Sequence, residues 1–172
     1  MSGIQRGGID MYVQQANFFF GTSMTFANEI MKTAARESHP VGTVIFKEGE
    51  AADHFYVLLE GRVRISIGES GHVVYIVSRG GEAFGWSSLV GRERYTASAE
   101  SIEPTTLMSF ERERFQQVLV KDPVNGMVLY KGLANTLAGR LLETYRMISG
   151  LSLSEQTIAS GSGQFMSADP AR

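Results

Sequence analysis

Between Ser23 and Ser38 the apolar residues Met24, Ala27, Ile30, Met31 and Ala34 recur at helical spacing, while Asn28, Glu29, Lys32 and Arg36 take the opposite face. This pattern predicts an amphipathic helix lying against a following domain. The period then changes from helical to alternating. Val44 to Phe46, His54 to Leu59, Arg62 to Ile67, His72 to Ser78, Ser98 to Ile102 and Thr105 to Phe110 read as strands. Gly68-Glu69-Ser70-Gly71, between two of these runs, reads as a hairpin turn.

Past Phe110 helical signals return. Phe115, Val118 and Leu119 form one short apolar face, and Asp122-Pro123 supplies an N-cap followed by proline at the first helical position. The helix that follows is predicted to run to about Ser149. Leu133, Leu137, Leu141 and Tyr145 step by four along it, flanked by Ala134, Ala138 and Ile148. Such a stripe serves either as a core face on the chain's own sheet or as a seam with the same helix of a second copy. The first 22 residues and the serine- and glycine-containing stretch from Gly150 to Arg172 lack a sustained pattern and read as loosely ordered.

Composition narrows the class. The 172 residues include 19 glycines and no cysteine, which excludes a disulfide scaffold, a thiolate metal site and cysteine catalysis. Nine of the glycines fall between His39 and Phe110 and punctuate β-branched or aromatic runs, the spacing of a sandwich or barrel. The net charge of −2 carries no basic surplus of the kind that nucleic-acid binding requires. Neither a secretory signal nor a run of about 18 apolar residues is visible, so a cytoplasmic protein without a membrane partner is expected.

Five motif blocks then occur in order: Gly42-x3-Phe46-x2-Gly49-Glu50, Phe55-Tyr56-x-Leu58-x2-Gly61, Gly81-Glu82-x-Phe84-Gly85, Arg94, and Ala97-x-Ala99. Together they resemble the cyclic nucleotide-binding domain of catabolite-activator-type (Crp/Fnr-like) regulators, kinase regulatory subunits and gated channels. The resemblance covers about Gly42 to Ile148. It implies an α+β fold: an eight-stranded β roll, jelly-roll-like, with an N-terminal helix and a long C-terminal dimerisation helix. The expected organisation is an arm and amphipathic helix over 1–38, the roll over 39–110, a short and a long helix over 111–149, and a flexible tail over 150–172.

The resemblance also implies a site. Phe84, Gly85, Trp86, Ser87, Ser88, Arg94, Tyr95 and Thr96 correspond to the family's phosphate-binding cassette, and Thr144 to a helical threonine that reaches the base of a cyclic AMP-like nucleotide. A helix beginning after Gly85 would leave the amides of Trp86, Ser87 and Ser88 free for an anion, with Arg94 as a bidentate phosphate contact. One position departs from the pattern. Ligand-binding members carry Phe-Gly-Glu, whose carboxylate accepts from the ribose 2′-hydroxyl, whereas this chain has Phe84-Gly85-Trp86. An indole only donates. Losing a charged acceptor to a hydroxyl costs about 1.5–3 kcal/mol, on the order of ten- to a hundredfold in affinity. Trp86 therefore either fills the pocket or stacks on a non-standard ligand. Thr144 either reaches a ligand or bonds to its own helical turn.

Other chemistry is discounted. His39, His54 and His72 lack metal-ligand spacing, with His54 read as a solvent-facing strand residue. Ser87-Ser88 lacks the Gly-x-Ser-x-Gly elbow of hydrolases. Glu48, Glu50 and Asp53 read as a solvated acidic loop. Residues 150–172 carry neither the paired apolar helices nor the positive charge of a helix-turn-helix. The expectation is a non-enzymatic, stand-alone regulatory module. It would be homodimeric and bind a cyclic nucleotide or another small anionic ligand, without contacting nucleic acid itself. The alternatives are a ligand-free domain that recruits a protein partner, and a Crp-type regulator without its own DNA-binding unit.

Overall fold

The computed structural model describes Phe19 and residues 21–151, 157–159 and 165–167. It divides into two compact units, Met1–Gly132 and Leu133–Arg172. The first unit holds helix α1 (Met24–Met31), strands β1 (Ala34–His39), β2 (Val44–Phe46), β3 (His54–Glu60), β4 (Val63–Ile67), β5 (His72–Val77), β6 (Ala83–Phe84), β7 (Ser98–Ser101) and β8 (Thr105–Glu111), and helix α2 (Arg112–Lys121). Helix α3 (Pro123–Leu151) begins in it and continues into the second unit, where β9 (Thr157–Ala159) pairs with β10 (Phe165–Ser167). The eight roll strands form two four-stranded sheets, in the orders β1-β8-β3-β6 and β2-β7-β4-β5. Among the described residues no helix is long and apolar enough to cross a membrane.

The six alternating runs are strands at nearly the predicted limits, and Gly71 N donates to Gly68 O at 3.0 Å in the predicted hairpin turn. The N-terminal helix is shorter than its periodicity predicted. Ser23 caps it, its Oγ accepting from Phe26 N at 3.2 Å, and Phe26, Ala27 and Ile30 face inward. Thr33 closes it, with N and Oγ1 both donating to Ile30 O at 2.9 and 2.7 Å. Residues 34–38, expected as its last turn, are instead in β1, paired with β8 from Ala34↔Phe110 to His39↔Thr105. That run has no strong local preference, and the open edge of β8 decides its conformation.

Strand β3 is buried on both faces from Phe55 to Leu59. Its alternate side chains serve two cores. Tyr56 and Leu58 join Phe46, Ala52, Val63, Val77, Phe84, Tyr95, Ala99 and Leu107 inside the roll. On the other face Phe55 stacks on Phe110 at 4.6 Å and meets Phe115 of α2 edge-on at 4.7 Å. The helix junction follows the sequence signal, since Asp122 Oδ1 accepts from Asn125 N at 3.1 Å ahead of Pro123. The tail expected over 150–172 lies, apart from the last two residues of α3 and the strands β9 and β10, outside the described residues, as does most of the loosely ordered start.

Gly61, between β3 and β4, has φ +93°, and a Cβ there would stand 2.5 Å from Pro104 O and 2.6 Å from Thr105 Oγ1. The position combines a left-handed backbone with a backbone clash, so Gly61→Ala is expected to destabilise the first unit by about 2 kcal/mol or more. Urea unfolding measures it; an unchanged midpoint would show that the corner does not constrain the roll.

Candidate functional site

The candidate site is the loop from Gly81 to Thr96, and β3 is its seat. Gly81 N donates to Leu58 O at 2.8 Å and Leu58 N to Glu82 O at 2.8 Å. The Glu82 carboxylate fixes the preceding turn, accepting from Tyr75 Oη at 2.7 Å, Ser78 N at 3.0 Å and Arg79 N at 2.9 Å. Strand β6 then pairs with β3 through Tyr56↔Phe84 and Val57↔Ala83. Gly85 follows at φ +76°, where a Cβ would stand 3.3 Å from Tyr56 Cδ2 and 3.4 Å from His54 O. Glycine thus lets the loop lie directly on the strand.

After Gly85 the expected short helix is a single 3-10 turn, Trp86–Ser88. Its amides are not all free, since Ser88 N donates to Gly85 O at 3.3 Å and Ser88 Oγ to the same carbonyl at 3.1 Å. Leu89 N and Val90 N both close on Trp86 O, at 3.0 and 3.2 Å, and Arg92 N donates to Ser87 O at 3.1 Å. Ser87 and Ser88 are buried and Trp86 is half-buried. Ser87 Oγ lies 3.4 Å from Thr96 Oγ1, so the 3-10 turn meets the far end of the loop.

Arg94 and Tyr95 take opposite directions. Arg94, exposed, donates from Nη1 to Gly49 O at 2.6 Å and bridges Ala51 through its backbone. Tyr95 is buried and stacks on Phe46 at 3.8 Å; Phe46 in turn lies 6.2 Å from Phe84. The Tyr95 hydroxyl donates to His54 O at 2.6 Å and accepts from His54 N at 3.2 Å and from the Tyr56 hydroxyl. Burial raises the pKa of both phenols above the usual tyrosine value, and the charge of Asp53 adds to the effect in each. Thr144 lies on α3 in the second unit, where its Oγ1 donates to Arg140 O at 3.0 Å.

The structure therefore brings Phe84, Gly85, Trp86, Ser87, Ser88 and Thr96 together in the loop and turns Tyr95 into the roll behind it. Sequence reasoning missed Tyr56, Glu82 and the His54 backbone as organisers of this region. Tyr56 showed only as part of an apolar strand run and of one motif block, and Glu82 only as part of a glycine motif. His54 itself is half-buried, where a solvent-facing residue was expected. Among the described residues no cluster of His, Asp or Glu has the arrangement to hold a metal ion.

A family model for the cyclic nucleotide-binding domain matches residues 36–122, half of the chain and all of the roll from the third residue of β1 onward. The chain belongs to the cyclic nucleotide-binding domain family. Within it, the Thermus thermophilus cyclic AMP receptor protein is 29% identical over 123 residues, 70% of this chain and 55% of that protein. The cGMP-dependent 3′,5′-cGMP phosphodiesterase A of Dictyostelium discoideum is 29% identical over 106 residues, and this chain spans 12% of its length. A solved structure from Geobacter metallireducens GS-15, described as a cyclic nucleotide-binding protein, superposes with a TM-score of 0.68 at 29% identity. That match covers 78% of this chain and 98% of the other. The domain is thus the kind that occurs both in Crp/Fnr regulators and as a small part of larger enzymes.

The buried phenols set a pH dependence. Raised native pKa values mean that the unfolded chain loses these protons first as pH climbs past about 10, so stability is full below that value and falls above it. Denaturant unfolding from pH 8 to 11 should show this loss, and the double variant Tyr56→Phe/Tyr95→Phe should flatten it. An equally steep loss in the variant would place its origin elsewhere.

Proposed function

We propose that this domain is a regulatory sensor module in which the loop 81–96 receives a small ligand by atypical recognition and passes its state to α3. The observation that carries the reading is the link at the end of the loop: Tyr130 Oη, on the part of α3 within the first unit, donates to Leu89 O at 3.2 Å. Leu89 is itself fully packed and bonded to Trp86 O, so a movement of the 3-10 turn reaches Tyr130 through one residue. Recognition is atypical because Trp86 replaces the carboxylate that would read a ribose hydroxyl and the Arg94 guanidinium is engaged outside the loop, at Gly49 O. Regulation is favoured over catalysis by the site itself, which assembles hydrogen-bonding and aromatic groups but no nucleophile–base pair.

A second reading, a ligand-free domain that recruits a protein, gains support from the ring-filled interior behind the loop. Calorimetry with cyclic AMP and cyclic GMP, read alongside the emission of Trp86, separates the two. Saturable binding of these, or of an uncharged nucleoside, that shifts the emission supports the sensor, and silence with both classes supports the ligand-free reading.

Coupling is testable without a ligand. Tyr130→Phe removes one hydrogen bond worth about 1 kcal/mol and is expected to speed amide exchange both in residues 89–92 and in the first turns of α3. Faster exchange confined to the loop would break the proposed connection.

Helix α3 is also proposed as the homodimer seam, because Leu141, Leu142, Tyr145 and Met147 stand exposed on its second half. Light scattering should give twice the 18.9 kDa chain mass, reduced to the monomer in Leu141→Glu. A monomeric wild type would remove the seam.

A further inference from the structure

We infer that residue 95 decides the charge of what the loop accepts, and that Tyr95 makes this domain refuse a phosphodiester. The inference rests on the reading of residues 81–96 as the sensing loop and specifies its ligand class. Two backbone bonds hold the segment extended, Gly49 N to Tyr95 O and Tyr95 N to Glu50 O, each 2.9 Å. Neighbouring side chains on an extended chain point to opposite faces. With Tyr95 stacked on Phe46 inside the roll, Arg94 must lie outside, and its bond to Gly49 O places it there. A change of rotamer does not exchange the two; only a one-residue slip of the strand would.

The interior beside Phe84 consequently contains aromatic rings and a saturated phenol. Among the described residues no lysine or arginine is buried. The charges that act on the two phenols are of the wrong sign for an anion, Asp53 and Glu50 on Tyr95 and Glu37 and Asp53 on Tyr56. An anionic phosphodiester entering here would lose its hydration without gaining a counter-charge. An arginine at the same position would reverse each of these terms. Its planar guanidinium can lie on the Phe46 face and donate to His54 O and the Tyr56 hydroxyl, and the same carboxylates would support its charge.

The test uses the full chain with cyclic AMP and cyclic GMP as probes, followed by calorimetry and Trp86 emission. Wild type and Arg94→Ala are both expected to show no saturable binding below about 1 mM, and Tyr95→Arg to bind at least about tenfold more tightly than wild type. Two results overturn the inference: wild-type binding that Arg94→Ala weakens, or a Tyr95→Arg protein that melts like wild type yet gains no affinity. Should Tyr95→Arg not fold, the wild-type and Arg94→Ala pair still decides, because micromolar binding of either nucleotide to wild type contradicts the exclusion. The exchange measurement on Tyr130→Phe involves no nucleotide, so a failed coupling and a failed charge assignment are separate outcomes.

Discussion

Burial of strand β3 on both faces is the constraint from which the rest of the domain follows. A strand with water on one side can alternate apolar and polar residues, but β3 is covered on both sides from Phe55 to Leu59, an unbroken apolar run. Each parity then supports a different structure. Phe55 anchors α2 through Phe110 and Phe115, whereas Tyr56 and Leu58 organise the inside of the roll. The backbone of the same strand holds both ends of the site loop. It pairs with Phe84 at one end and, through His54, fixes the Tyr95 hydroxyl at the other. A loop tied in this way at two points has little freedom of its own, and the proposed coupling leaves from its middle, where Tyr130 Oη donates to Leu89 O.

The interior behind the loop is a packed aromatic assembly with a small hydrogen-bonded polar centre. Phe46, Tyr56, Phe84 and Tyr95 stack at centroid distances between 3.8 and 6.2 Å. The two phenols satisfy one another and the His54 peptide, which makes their burial tolerable, because an unpaired buried hydroxyl is costly. The same arrangement leaves nothing in this centre to meet an incoming anion. On the proposal above, fold and recognition separate in this domain: the glycine framework of the family is kept, while the residues pointing inward exclude an anion.

Much of this was legible in the residues. Six strands, the hairpin at Gly68–Gly71, the Asp122-Pro123 helix start and the glycine blocks needed only local pattern, because each is decided by side-chain period or by turn chemistry within a few residues. The strand Ala34–His39 and the two-residue β6 were not legible. Neither has a local preference strong enough to declare itself, and each forms because a neighbouring strand offers unpaired amides and carbonyls. In the site, Gly85 and Phe84 were found from the motif, whereas Glu82, in the same motif block, had no assigned role until its three donors were seen around it.

The pair Arg94-Tyr95 shows most clearly where sequence stops. By itself the sequence determined the family, the order of the helices and of six of the eight roll strands, and the tryptophan that follows Phe84-Gly85, because these are properties of residue type and spacing. It could not determine which of two adjacent side chains faces the loop. That depends on strand parity, which is set by the pairing of this segment with the Gly49–Ala52 corner more than forty positions earlier in the chain. A shift of one residue exchanges inside for outside. Only the tertiary structure places Tyr95 against Phe46 and leaves Arg94 on Gly49 O.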